Sequence, residues 1–180
     1  LNIWMKNGTQ KKYLPEFVYG AIDGTVTTFA IVTGSLGASL SSQIILILGF
    51  ANLFADGFSM AVSDYLSTES QAELFKMHKH KHAHLKNPKK TALATFIAFV
   101  LIGFIPLISF VLSPFSQLIN NYKFTLSIFF TAIAFLAIGA FKGKIVGKNK
   151  LKAAFETLII GGIAAIISFF VGYLLKSITS

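Results

Sequence analysis

Apolar residues run along this chain in five long blocks, separated by short clusters of lysine, glycine, proline and polar positions. A helix that crosses a bilayer needs about 20 mostly apolar residues, and the blocks at about 17–40, 43–66, 91–113, 124–141 and 154–175 reach that length. Asn87-Pro88, Ser113-Pro114 and the glycine–lysine run from Lys142 to Lys152 fall between blocks, where such residues favour turns. Pro106 is expected to kink the third block, and Gly161-Gly162 to permit close packing in the fifth. Polar positions inside the blocks carry a second pattern. In the stretch ANLFADGFSM, Ala51 to Met60, the residues Asn52, Asp56 and Met60 recur at four-residue steps. At about 100° per residue they share a helix face with Ser59 and Ser63, which leaves Phe54, Phe58, Ala61 and Tyr65 for lipid. The first block repeats the arrangement: Gly20, Asp23, Gly24, Thr27 and Gly34 lie on one face, opposite Ile22, Val26, Phe29 and Leu36. Gly20 and Gly24 also make a GxxxG, a spacing that lets two membrane helices approach closely.

Composition turns this pattern into a fold class. With 180 residues, 54% of them hydrophobic and 13% charged, the chain has more apolar surface than one soluble core hides. The expectation is an all-α integral membrane protein, a single domain over 1–180 with five transmembrane helices and a short His/Lys-rich loop at 67–90. The polar lead Asn2 to Lys12 precedes a block of spanning length with no A-x-A-like cleavage site, so it reads as the approach to a first span rather than a signal peptide. Cysteine is absent, which removes disulfides, thiolate metal sites and cysteine nucleophiles. The net charge of +9 comes from lysine without arginine, and its placement matters more than its sum. Lysines crowd the N-terminus (Lys6, Lys11, Lys12), the second connection (Lys76 to Lys90) and the fourth (Lys142 to Lys152), whereas Lys123 and Lys176 stand alone on the alternate segments. The positive-inside rule then puts the N-terminus in the cytoplasm and the C-terminus outside. The basic charge is thereby assigned to the membrane and not to nucleic acid.

Carboxylates inside a bilayer cost about 2.5–3.5 kcal/mol each on insertion scales, so they generally face the bundle interior and have a use there. A turn near Ser39–Ser42 would set Asp23 level with Ser59 and Met60, with Asp56 about one turn deeper beside Val26 and Thr27. Proton relays gain nothing from sulfur, and Mg²⁺ or Ca²⁺ prefer oxygen alone; acid and amide oxygens beside a thioether suit a borderline-soft divalent ion such as Fe²⁺ or Mn²⁺. Two readings stay open for each member. Met60 is a ligand or a packing residue, and Asp23 and Asp56, with Asn52 beside them, bind an ion or pair with a neighbouring helix. Glu69, Glu73 and Met77 stand four apart on a cytoplasmic extension of the second helix. They either pass ions to Asp64 and the deeper acids or balance nearby lysines. His78, His80, His82 and His84 form either a weak metal-capturing tract or, with Lys79 and Lys81 among them, a solvated basic loop near anionic headgroups. No catalytic residues and no prosthetic group are expected. An aspartyl protease would show G-x-G-D around one acid, and a serine protease would need a histidine within the membrane. A metal-binding sensor or scaffold that moves nothing is the main alternative function.

Two segments carry a resemblance. YGAIDGTVTTFAIVTG, Tyr19 to Gly34, and ANLFADGFSMAVSDYLSTES, Ala51 to Ser70, resemble the vacuolar iron transporter family. NPKKTALATFIAFVLIGFIPL, Asn87 to Leu107, and the glycine-rich fifth block follow in the same order. The resemblance implies a five-helix protomer that dimerises, with its first helices lining a central path. It also implies export of Fe²⁺, often with Mn²⁺, from the cytosol in exchange for protons. By position Asp23 matches the family's first-helix aspartate and Met60 its second-helix methionine, both transport-path ligands. The family's glutamate-rich cytoplasmic insertion is reduced here to Leu66–Pro88, in which Glu69 and Glu73 are the acids that remain. A prokaryotic plasma membrane is the expected host, from the small size and the lack of an organelle address.

Overall fold

The computed structural model describes residues 12–77 and 85–179, and within them the chain forms five membrane-length helical spans and no strand. The first span is α1 (Leu14–Gly37), which begins with Pro15 where a missing N–H is harmless and carries Glu16 in its first turn. It stops in a Schellman turn: Leu40 N–H reaches Ser35 O at 2.9 Å, Ser39 N–H reaches Leu36 O at 3.0 Å, and Ser39 takes the left-handed φ of 57°. The second span, α2 (Ser42–Met77), has 36 residues, about 54 Å at 1.5 Å per residue. That exceeds the hydrocarbon thickness, so its last turns project beyond it. The extension of the second helix thus reaches Met77, within the segment 67–90, and Leu85–Asn87 lead into α3 (Pro88–Gly103). Asn87 caps α3 by accepting from Lys89 N–H at 3.0 Å and Lys90 N–H at 3.3 Å.

Pro106 breaks the third span as expected. A 3₁₀ turn at Ile105–Leu107 leads into the short α4 (Ile108–Leu112) and a second 3₁₀ turn at Ser113–Phe115. Carbonyls near the break find hydroxyl donors: Ser127 Oγ donates to Pro106 O at 2.6 Å, and Ser109 Oγ donates to Lys123 O at 2.7 Å. Both bonds tie the broken span to α5 (Gln117–Val146), which ends on Gly147 at φ 72°. The last span is α6 (Lys150–Thr179), opened by Asn149 accepting from Leu151 N–H at 2.9 Å.

The first helix lies at the centre of the bundle, packed chiefly against α3 and α6. Its glycines explain the choice. A Cβ at Gly20 would sit 2.4 Å from Thr95 O, and one at Gly24 2.5 Å from Phe99 O, so α3 lies directly on the GxxxG. Toward the other end, Gly37 meets Phe169 O at 2.1 Å on the same measure, and Gly172 of α6 meets Gly34 O at 2.0 Å. Ser168 Oγ adds a bond to Ala30 O at 2.5 Å. These small-residue seams hold three parallel helices at backbone contact. Phe29, expected to face lipid, is 7% exposed and packs edge-on against Phe135, because a helix surrounded on most sides has no lipid face to give. Gly161 abuts the Phe135 ring as expected, whereas Gly162 meets nothing within 4 Å.

On α2, Ile45, Gly49, Leu53, Gly57 and Ala61 form the buried ladder that seats it on α3 and α4. Ala61, expected at the lipid surface, is 9% exposed; a small side chain is what lets the helices close. Phe54 and Phe58 face outward as expected, at 56% and 65% exposed. Every described lysine except Lys123 and Lys176 lies toward one end of the bundle, the end where α1, α3 and α6 begin.

Candidate metal site

A polar ladder runs one residue ahead of the buried ladder of α2, and it borders the groove between α2 and α1. Asn52 Nδ2 donates to Thr27 Oγ1 at 3.3 Å, and Thr27 Oγ1 in turn donates to the Asp23 carbonyl at 2.9 Å. With Asn52 opposite Thr27 in antiparallel helices, one turn farther brings Asp56 opposite Asp23. The two carboxylates lie within electrostatic reach of each other. This corrects the expected register by nearly a turn, because α1 both starts and stops about three residues earlier than its hydropathy suggests. Asn52, Asp23 and Asp56 are all half-buried. The pairing of first-helix and second-helix acids therefore exists, at a shared depth, with an amide beside it.

Met60 follows one turn beyond Asp56, half-buried and packed against the apolar core. Asp64 comes next and accepts a hydrogen bond from Thr95 Oγ1 of α3. Since Thr95 lies against Gly20, Asp64 stands between the level of Asp23 and the start of α1. Thr68 and Thr91 bond at 3.1 Å below it. Glu69 accepts from Tyr65 OH at 3.3 Å, and Glu73 is exposed on the projecting end of α2. Glu69 and Glu73 thus lie about 20 and 26 Å along α2 from Asp56, and α2 does not bring them to the same place. His78, His80, His82 and His84 lie outside the described residues. Ser59 and Ser63 are exposed on the outer flank of the polar ladder.

Sequence reasoning passed over Glu16. Its Oε1 pairs with Lys86 Nζ at 2.5 Å, and its Oε2 is buried with no partner among the described residues. The signal was present in the spacing, since Glu16 precedes Asp23 by seven residues and shares its face. Thr27 was placed on the correct face, but its role in bridging Asn52 to α1 was not foreseen.

Among the described residues no three acids or histidines gather closely enough to enclose a metal ion. One chain offers two carboxylates, an amide and a nearby thioether, a donor set that suits a divalent ion of intermediate softness.

Comparison with known proteins finds matches along most of the chain. The profile described as the VIT family matches residues 14–87 and 76–173, two pieces that overlap at 76–87. The chain is 25% identical to the vacuolar iron transporter of Plasmodium berghei, over 93% of this chain and 84% of that protein. It is 26% identical to vacuolar iron transporter 1 of Arabidopsis thaliana, over 91% of this chain and 86% of the relative. It is 28% identical to vacuolar iron transporter homolog 4 of the same plant, over 84% and 77%. The Plasmodium alignment spans 228 positions against a chain of 180, so that relative carries residues with no counterpart here.

Proposed function

The chain belongs to the VIT family, a family of membrane transporters and not of enzymes, and on that premise we propose that it exports Fe²⁺, with Mn²⁺ as a second cargo, in exchange for protons. The observation that carries this reading is the meeting of Asp23 and Asp56 at one depth across the α1–α2 groove, with Asn52 beside them and Met60 one turn away. Two carboxylates neutralise one divalent ion. When the ion leaves, the acids are left charged in a medium of low dielectric, and a pair of protons restores neutrality. The thioether biases the site away from Mg²⁺ and Ca²⁺.

Lysine placement supports a cytosolic side at the end where α1 begins. The ion then travels along α1 and α2 toward the end that holds Lys123 and Lys176. A homodimer completes the path: Ser59 and Ser63 are exposed on a spanning helix, and a second copy would cover them while adding the ligands one chain lacks. The bilayer proposed as host is a prokaryotic plasma membrane, although the relatives named above are vacuolar and eukaryotic.

The test is Fe²⁺ flux in proteoliposomes with and without an imposed pH gradient, for wild type, Asp23→Ala and Met60→Ala. Flux that follows the gradient and vanishes with Asp23→Ala is expected. Flux indifferent to the gradient removes the proton exchange and leaves metal transport, whereas binding without flux makes the protein a sensor.

A further inference from the structure

Glu16 occupies the first turn of α1, at the end of the bundle where lysines gather, with a side chain only 15% exposed. One of its oxygens holds the Lys86 ammonium, and the other is buried without a donor among the described residues. A buried carboxylate oxygen with no partner is costly, so the site is half-satisfied as it stands. Two more contacts close the same corner: Lys12 Nζ donates to Leu85 O at 2.5 Å, and Asn87 N–H donates to Tyr13 OH at 3.0 Å. The start of α1 is thereby fastened to the segment that leads into α3. Seven residues on, about 10 Å along the helix, Asp23 lies on the same face, and Asp64 stands between the two levels on its bond to Thr95.

We propose that Glu16 is the first cation-binding residue of the transport path and that Lys86 is its tethered, displaceable occupant. This rests on the transport reading above. A carboxylate paired with an ammonium on a flexible stem is a cation site already filled by a monovalent charge. A divalent ion binds the same two oxygens more strongly and satisfies the empty one, and Lys86, 34% exposed, has water to swing into. Release of Lys86 removes one of the three contacts that fasten the start of α1 to the segment before α3. The ion then meets acids at successive levels, Glu16, Asp64, and Asp23 with Asp56.

The experiment is Fe²⁺ uptake kinetics of the full chain in proteoliposomes, with thermal unfolding of each variant in detergent. Lys86→Gln removes the competitor, so KM for Fe²⁺ is expected to fall about fivefold, a shift that loss of one partly exposed ion pair produces. Glu16→Gln is expected to raise KM about tenfold while the rate at saturating ion stays near wild type. The exchanged pair Glu16→Lys with Lys86→Glu keeps the fastening and its melting temperature but loses the inward carboxylate, so KM rises as in Glu16→Gln. A wild-type KM in the exchanged pair, or single variants that lower only the melting temperature, would make the contact a structural splice and overturn the proposal. Asp23→Asn is run alongside. Unimpaired flux there takes Asp23 out of the path and defeats the site on which the proposal rests, whereas lost flux there with unchanged KM at Glu16 and Lys86 defeats the Glu16 proposal alone.

Discussion

The central helix meets its neighbours in two different ways. Against α3 and α6 it presents Gly20, Gly24, Gly34 and Gly37, and the backbones touch so closely that a methyl group has no room. Against α2 it presents Asp23 and Thr27, joined to the partner by a side-chain hydrogen bond of 3.3 Å. The first surface is apolar, continuous and closed. The second is polar, half-buried and linked by hydroxyl and amide groups that have alternative partners. Stability and chemistry are thus assigned to adjoining strips of one helix, since Gly20 and Gly24 lie within about 100° of Asp23 and Thr27. A seam of small residues holds α1 in place so that the groove beside it can keep charged groups and admit an ion without the bundle coming apart.

The contrast sets what substitutions should do. The largest effect is expected at the closed seam. Gly24→Val drives a side chain into the Phe99 carbonyl and is expected to cost about 3 kcal/mol or more, read as loss of folded protein in detergent. The next is in the groove, where Asp56→Asn should leave the melting temperature within a few degrees yet lower Fe²⁺ flux about 100-fold, near 2.7 kcal/mol. A large loss of stability there would erase the distinction between the two sides. Thr95→Val tests the boundary, because Thr95 lies against Gly20 on the seam and also donates to Asp64 in the groove. It should cost about 1–2 kcal/mol by leaving a carboxylate without its donor, while the seam remains closed. The smallest effect is predicted at Gly162, which faces open space: Gly162→Ala should shift stability by no more than about 0.5 kcal/mol.

The spans were readable because bilayer thickness imposes length and apolarity on each one, and Pro106 announced its own break. Their ends were not, because caps decide them. Pro15 and the turn at Ser39 moved α1 by about three residues and with it the depth of Asp56 against Asp23. The polar stripes on α1 and α2 were legible from helical spacing, since an aspartate in lipid has few places to go. The partner of the GxxxG was not. A glycine pair signals a close approach without naming the helix that makes it, and α3 took the place beside Gly20 and Gly24. Assigning faces by aromatics worked for Phe54 and Phe58 and failed for Phe29, because spanning helices are apolar on every side and only packing tells core from lipid. Glu16 escaped notice because an acid in a first turn has an ordinary explanation as a helix-dipole partner. Its buried, unpaired oxygen appears only in three dimensions.

The central claim is that the α1–α2 groove holds the transported ion. Anomalous scattering from crystals grown with Mn²⁺ or Co²⁺ tests it most directly. A peak at coordination distance from the Asp23 and Asp56 carboxylates, reduced in Asp23→Asn, is the expected result. Anomalous peaks confined to the projecting end of α2, with none between α1 and α2, would contradict it.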